Sequence, residues 1–294
     1  MLEPGTAADT LLAMPPPAAA EIHDYLAHRG EQLYVVHHRT QEPPRAQALF
    51  CSPFALERTL AYTTLVRFAR HLAHRGIEVI RFDYRGTGES SGRCEHFDFA
   101  HWADDTATVF EATRTDASPP RILFGLRFGA LMASRLFADG HGDGLLAWGP
   151  FADARSMLHE LLRHKVVGQA LQGGQAGPGA DREAFIAQWL REGVLEVDGH
   201  RWGKALWTQS SDLVFAGREP GDSRPRLILA FDRRPGHGAW GAAESAVVAI
   251  PRPPFWHYDP RLLPDLGDLL RRSFAFVETA LSVRGDGVTD AAGP

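Results

Sequence analysis

Short apolar runs alternate with longer segments of helical periodicity in the first half of the chain. The runs at 33–38, 46–51 and 77–82 have the length and the apolar content of buried strands. Apolar residues recur every three or four positions over 62–73, which predicts a helix that ends at Gly76. This alternation predicts right-handed crossovers and a mostly parallel central sheet flanked by helices.

The alternation continues to the middle of the chain and then breaks. A helix is predicted over 99–110, and buried strands are predicted at 122–124 and 145–148. From about 151 to 206 the pattern is helical with a glycine-rich connection, which predicts a helical cap inserted over the carboxyl edge of the sheet. Two later strands, at 226–231 and 245–250, and a final amphipathic helix, at 262–277, complete the pattern.

This pattern predicts one α/β domain with an insertion. The expected boundaries are a loose N-terminal segment at 1–30, the α/β domain at 31–282 with its cap at about 151–206, and a disordered tail at 283–294.

The segment Gly125-Leu126-Arg127-Phe128-Gly129 stands between a buried strand and a helix. This is the pattern of the nucleophile elbow of an α/β-hydrolase fold, in which the flanking glycines permit the sharp turn. The central position normally carries serine, whose hydroxyl attacks a carbonyl carbon. Arg127 stays protonated and has no lone pair to offer, so it can bind an anion but cannot form an acyl-enzyme.

Composition excludes several classes of protein. The chain has 294 residues and a formal net charge of −5, which argues against a nucleic-acid partner. Its two cysteines, Cys51 and Cys94, form no paired motif, and no apolar run is long enough for a membrane span. With no recognisable secretory signal, we expect a cytoplasmic protein.

Four segments together support a resemblance to a family. They are Pro53-Phe54 with Glu57, the loop from Asp83 to Ser90, the elbow from Gly125 to Ala130, and Pro253-Pro254-Phe255-Trp256. In these segments the chain resembles the α/β-hydrolases known as exosortase A system-associated hydrolases, in particular the hydrolase 2 type. This resemblance implies an association with exopolysaccharide and protein-sorting gene neighbourhoods of Gram-negative bacteria, and arginine at the elbow is usual in that branch.

The elbow defines a candidate oxyanion or anion-binding site. The amide of Phe128, and that of Ser52 or Phe54, occupy the positions from which active relatives donate to a developing oxyanion. With the Arg127 guanidinium beside them, these amides favour a carboxylate or a phosphate. The alternative is that Arg127 forms a buried salt bridge, with Asp232 as one candidate partner, and binds no ligand.

The other candidate catalytic residues follow the late strands. Asp232 stands near the expected position of the triad acid, although a surface turn is an equal alternative, and His257 stands near that of the triad histidine. His237 competes for the histidine role, and a packing role for His257 beside Trp256 also stays open. Displaced nucleophiles, all lacking an adjacent base, would be Ser52, Ser90, Ser91, Cys51 or Cys94.

Two classes of function follow. In the first, the protein hydrolyses an ester or acyl substrate with activated water: His257 is the base, Asp232 orients it, and Arg127 with the elbow amides stabilises the oxyanion. In the second, an inactive relative binds an anionic acyl or saccharide ligand, or a partner protein. We expect no cofactor and no metal, since no such motif is present, and a homodimer is among the expected assemblies.

Overall fold

The computed structural model describes residues 14–115, 119–171, 180–231, 245–247, 254–257 and 266–286. Within them an eight-stranded sheet has the order β1-β2-β4-β3-β5-β6-β9-β10, and β7 and β8 form a separate hairpin. The strands are β1 Glu21–His28, β2 Glu31–His38, β3 Ala46–Cys51, β4 Ile77–Phe82, β5 Arg121–Leu126, β6 Gly144–Trp148, β7 Val194–Val197, β8 His200–Gly203, β9 Arg226–Ala230 and β10 Ser245–Val247.

The sheet is mostly parallel, as the alternating pattern predicts. β1 and β2 pair antiparallel, and β2 pairs antiparallel with β4. All the other pairs in this sheet are parallel. Because parallel strands share one direction, the turns that follow β3, β4 and β5 all lie at the same edge of the sheet. The candidate site is at this edge.

Helices cover both faces of the sheet. Apolar residues of α1 and α7 pack on one face, and those of α2 and α3 pack on the other. The helices are α1 Leu56–Ala73, α2 Phe99–Ala112, α3 Phe128–Ala138, α4 Ala154–Leu171, α5 Ala180–Glu192, α6 Lys204–Thr208 and α7 Gly267–Asp286.

The predicted loose segment at 1–30 is wrong for its last third. Residues 21–28 form β1, which pairs with β2 across its full length through a tight turn at Arg29 and Gly30. Both turn residues have positive φ, 49° and 84°, which matches the strand twist of a hairpin. β1 contains no fully buried residue, so no apolar alternation marks it in the sequence.

Two further boundaries differ from the predicted ones. The expected disordered tail begins at 283, whereas α7 continues to Asp286. The segment expected to be a helical cap contains α4, α5 and α6, and also the β7–β8 hairpin. Trp202 of that hairpin is buried against Phe54, with ring centroids 5.1 Å apart.

No helix among the described residues is long and apolar enough to cross a lipid bilayer.

Candidate functional site

Arg127 occupies the sharp turn between β5 and α3. Its backbone has φ 56° and ψ −117°, a conformation that side chains other than glycine rarely adopt. A Cβ on Gly125 would lie 2.4 Å from the backbone of Ala130, so glycine is required for the turn to close. The chain therefore keeps the backbone geometry of an elbow although the nucleophile position carries arginine.

Gly129 brings the end of β3 against the first turn of α3. A Cβ at this position would lie 1.9 Å from the carbonyl oxygen of Cys51 and 2.7 Å from that of Ser52. The amide of Phe128 belongs to the first turn of α3, where the helix offers no acceptor within itself. The predicted anion-binding segments, at Ser52 and at Phe128, thus lie side by side.

Phe54 contributes packing as well as a backbone amide. Its ring is 2% exposed and lies 5.7 Å, between centroids, from the ring of Phe128. This contact joins the loop after β3 to the start of α3 and fixes the backbone on which the predicted oxyanion site depends.

The guanidinium of Arg127 is held by Glu57, a residue in the first turn of α1. Nη2 donates to Glu57 Oε1 at 3.1 Å, and Nε donates to the same oxygen at 3.2 Å. Arg127 is 8% exposed and Glu57 is 2% exposed. A buried charge needs a partner at this degree of burial, and Glu57 supplies it.

A second carboxylate reaches Arg127 from α4. Arg127 Nη2 lies 2.5 Å from Glu160 Oε1, and the guanidinium carbon lies 3.9 Å from the ring centroid of Phe151 and 5.0 Å from that of Trp256. Burial acts to lower the pKa of Arg127, but the two carboxylates outweigh it and raise that pKa above its ordinary value. The elbow cation is therefore permanently charged and sits between acidic and aromatic groups.

His257 also approaches Glu57. Its Nε2 lies 3.5 Å from Glu57 Oε1, and its backbone amide donates to the carbonyl of Pro254 at 2.8 Å. Arg127 and His257 thus meet at one carboxylate. Asp232, the predicted triad acid, and His237, the competing histidine, lie outside the described residues.

Among the described residues, the salt-bridge partners of Arg127 are Glu57 and Glu160, while Asp232, the partner named in the sequence analysis, lies outside them. Glu57 and Glu160 are 70 and 33 positions away from Arg127 in the chain. Glu57 precedes the helix predicted over 62–73, and Glu160 lies in the predicted helical cap. Solvent-facing carboxylates are common at both kinds of position, so periodicity alone does not separate these two from surface residues. The one available signal is the position of Glu57, immediately after the turn that follows β3.

Three of the candidate displaced nucleophiles, Ser90, Cys51 and Cys94, have surroundings typical of structural residues. Ser90 Oγ donates to the carbonyl of Asp83 at 2.6 Å and accepts from the amide of Tyr34 at 2.8 Å. Burial raises the pKa of the Cys51 thiol well above its usual range, and it raises that of Cys94 to about 12. A thiol that stays protonated is a poor nucleophile.

Three residues at the elbow have side chains of the kind that binds metals. Ligand atoms of Glu57, Glu160 and His257 all lie within 4.8 Å of one another. The guanidinium of Arg127 donates to both carboxylates, so a cation would have to displace another cation to bind there. The two carboxylates therefore bind the guanidinium of Arg127.

A second such group lies away from the elbow. His28, Asp104 and Asp105 also place ligand atoms within 4.8 Å of one another. Arg29 donates to Asp104 at 2.6 Å, and Arg85 donates to Asp105 at 2.5 Å. These arginines neutralise the carboxylates, as in an ordinary ion-pair network.

Sequence comparison gives a partial family match. The family model described as Hydrolase_4, serine aminopeptidase, S33, matches residues 59–187. The matched region includes the elbow, all of α4 and the first part of α5, and it ends before β9 and His257. No curated protein matches the chain.

Solved structures extend the likeness to most of the chain. A soluble variant of monoglyceride lipase from Saccharomyces cerevisiae, in complex with a substrate analogue, is 13% identical, with 92% of this chain and 98% of that chain covered and a TM-score of 0.59. Est1E from Butyrivibrio proteoclasticus, with bound ferulic acid, is 15% identical, with 86% and 98% covered and a TM-score of 0.57.

One similar structure is matched over a shorter part. The chain spans 62% of the length of an alpha-beta serine hydrolase homologue from Coxiella burnetii, which is 23% identical over 44% of this chain at a TM-score of 0.38. The sheet order, the elbow and the full-length likenesses together show that this protein has the α/β-hydrolase fold.

Proposed function

We propose that this protein is a non-hydrolytic relative of the α/β-hydrolases that binds an anionic acyl or saccharide ligand above the elbow. The observation that carries the proposal is the guanidinium of Arg127, which stands at the nucleophile position and is held by Glu57 and Glu160. Because a guanidinium has no nucleophilic lone pair, it cannot form the covalent intermediate of serine hydrolases.

Charge and exposure indicate how a ligand would enter. Arg127 already pairs with Glu57 and Glu160, and the exposed Arg163 lies 3.9 Å from Glu160, so an additional anion at Arg127 has to displace one of the two carboxylates. The side chain of Glu57 is 3% exposed and that of Glu160 is 15% exposed. The ligand carboxylate therefore takes the place of Glu160, while Glu57 keeps its hold on the guanidinium.

The surroundings of the guanidinium suit the rest of such a ligand. Phe151 and Trp256 lie against Arg127 and offer apolar surface beside a charged centre. The amide of Phe128, at the beginning of α3, adds a donor to the same anion. An acyl chain or a sugar ring with one carboxylate matches this combination of apolar and polar groups.

A second candidate function is hydrolysis by activated water. It is favoured by the 3.5 Å separation between His257 Nε2 and Glu57 Oε1, since a carboxylate beside an imidazole supports it as a general base. In this candidate, Asp232 orients His257, and Arg127 with the amides of Phe128 and of Ser52 or Phe54 stabilises the oxyanion. The descriptions of the matched family and of the similar structures are those of hydrolases.

We also infer that the chain belongs to the exosortase A system-associated branch. The combination of arginine at the elbow with Pro253-Pro254-Phe255-Trp256 supports this placement.

The two functions are separated by assaying hydrolysis and binding on one preparation. The purified protein is tested for hydrolysis of short acyl esters and thioesters and for labelling by a fluorophosphonate. In parallel, its melting temperature is recorded with octanoate and phosphate, because a ligand of the folded state stabilises it. Thermal stabilisation without turnover or labelling supports the binding function. Turnover that is lost in His257→Ala supports the second candidate, and labelling of a serine contradicts both.

A further inference from the structure

A separate groove lies between the β1–β2 hairpin, α1 and the loop after β4. It has a volume of about 640 Å³, within the usual range for a site that takes a small molecule. Aromatic residues form much of its lining, and Arg81 and Asp83 are among the charged ones. The proposed function does not use these groups.

Arg81 brings an uncompensated positive charge to this groove. It is 8% exposed, and it forms no ion pair with any of the residues that the structure describes. Its Nε donates to His38 Nε2 at 2.8 Å. Because a buried guanidinium normally has a carboxylate partner, Arg81 can pair with the carboxylate of a ligand.

His38, which accepts a hydrogen bond from Arg81, and Glu21 beyond it do not supply a negative charge that balances Arg81. His38 Nδ1 lies 2.8 Å from Glu21 Oε1, and Glu21 is paired with Arg70 at 2.7 Å. Burial, and then the charge of Arg81, lowers the pKa of His38 to about 4, so His38 is neutral at pH 7. The chain of contacts from Arg70 through Glu21 and His38 to Arg81 therefore keeps a net charge of about +1.

The aromatic lining offers flat surfaces beside this charge. Tyr25 is 50% exposed and Tyr62 is 41% exposed, high values for such large side chains. The Arg81 guanidinium carbon lies 5.0 Å from the centroid of the Tyr62 ring, so the stacking surface adjoins the cation. Faces of this kind pack against the C–H groups of a sugar ring as well as against aromatic rings.

The remaining charged groups select among anions. Asp83 is engaged by Arg58, with contacts of 2.9 and 2.6 Å, so this pair is neutral as a whole. Glu89 is an exposed carboxylate at the edge of the groove, where it accepts hydrogen bonds from hydroxyl groups and repels a second negative charge. A monoanion that carries hydroxyl groups fits better than a dianion or a plain aromatic acid.

We propose that this groove is a binding site for an acidic sugar, in which Arg81 pairs with a single carboxylate and Tyr25 and Tyr62 pack against the pyranose ring. The site is distinct from the elbow. Arg58 lines the groove, whereas the preceding residue, Glu57, contacts Arg127, so the first turn of α1 adjoins both.

The test is titration calorimetry of the full chain with glucuronate, glucose, glucose 6-phosphate and benzoate. We expect glucuronate to bind more tightly than the other three. Arg81→Gln should weaken glucuronate binding by at least about tenfold, since it removes a charge-assisted hydrogen bond. Tyr62→Ala should weaken it as well. Arg135→Gln, which changes an exposed arginine on α3, should leave the affinity unchanged.

Several results would overturn the proposal. These are absence of glucuronate binding, equal binding of glucose or benzoate, and an Arg81→Gln protein that binds as the native protein does. Glucuronate binding that becomes tighter in Glu160→Gln and is unchanged in Arg81→Gln would assign the sugar to the elbow and would remove the groove as a site. If Arg81→Gln fails to fold, Tyr25→Ser is decisive, because its side chain is half-exposed: unchanged affinity in that variant contradicts the proposal.

Discussion

Arg127 and Glu160 connect the elbow to α4 through an ion pair, with Nη2 of the arginine 2.5 Å from Oε1 of the glutamate. Arg127 belongs to the turn after β5, and α4 belongs to the segment inserted after β6. The residue that would be the nucleophile in a serine hydrolase therefore joins the sheet to the inserted segment.

Loss of this arginine should be strongly destabilising. Arg127→Met would leave Glu57, which is 2% exposed, without its guanidinium partner. Removal of one member of a buried ion pair costs about 3 to 5 kcal/mol, and urea denaturation measures it. The double variant Arg127→Met with Glu57→Gln should recover part of the loss, because the carboxylate no longer needs a partner. Equal stability of the single and double variants would contradict the assigned pairing.

The glycine after the elbow should not tolerate a side chain. A Cβ at Gly129 would lie 1.9 Å from the carbonyl oxygen of Cys51, a backbone atom that cannot rotate away. Gly129→Ala should lower the free energy of unfolding by at least about 2 kcal/mol. Gly217→Ala is the matched control, since a Cβ there meets nothing within 4 Å, and its effect should stay within about 0.5 kcal/mol. Similar stabilities for the two variants would contradict the close approach of β3 and α3.

Acid should destabilise the protein partly through His38. Burial and the nearby charge of Arg81 lower its pKa from 6.5 to about 4, while Glu21 faces its other nitrogen. Between pH 4 and pH 6.5, His38 binds a proton more readily in the unfolded chain than in the folded protein. The contribution of His38 to the free energy of unfolding is therefore fully present above about pH 6.5. It is lost progressively as the pH falls to about 4, for a total of about 3 kcal/mol.

The variant His38→Gln should flatten this part of the stability profile. Glutamine can still donate to Glu21 or accept from Arg81, but it does not titrate. The pKa of Glu21, which hydrogen bonding from Arg70 and a smaller effect of His38 hold at about 2, gives a further loss below about pH 4.5, and the part due to Arg70 should be common to both proteins. Urea denaturation from pH 7 to pH 3 measures both effects. Parallel profiles above pH 4.5 would mean that His38 is not the titrating group.

The parallel part of the fold could be predicted from the sequence because its strands are buried on both faces. β3 and β4 are buried along their whole length and have the predicted bounds, although Gln47 interrupts the apolar run of β3, and Glu78 and Arg81 interrupt that of β4. β1 could not be predicted in the same way, since its residues are exposed or half-buried and its pairing with β2 defines it.

The candidate site was predictable only as far as its backbone. The glycines on either side of Arg127 indicate the sharp turn in the sequence, because close packing leaves no room for a side chain at Gly125 or Gly129. The two carboxylates around the guanidinium come from α1 and α4, and which charged residues of those helices turn inward depends on tertiary packing.

The measurement that tests the binding account most directly is the affinity for octanoate of the native protein, Glu160→Gln and Arg127→Met. If the ligand carboxylate replaces Glu160, Glu160→Gln should bind octanoate about tenfold more tightly, because the competing charge is gone. Arg127→Met should lose this binding. Glu183→Gln, an exposed glutamate on α5, is the control and should match the native protein. Equal or weaker binding by Glu160→Gln would contradict the exchange of carboxylates at Arg127.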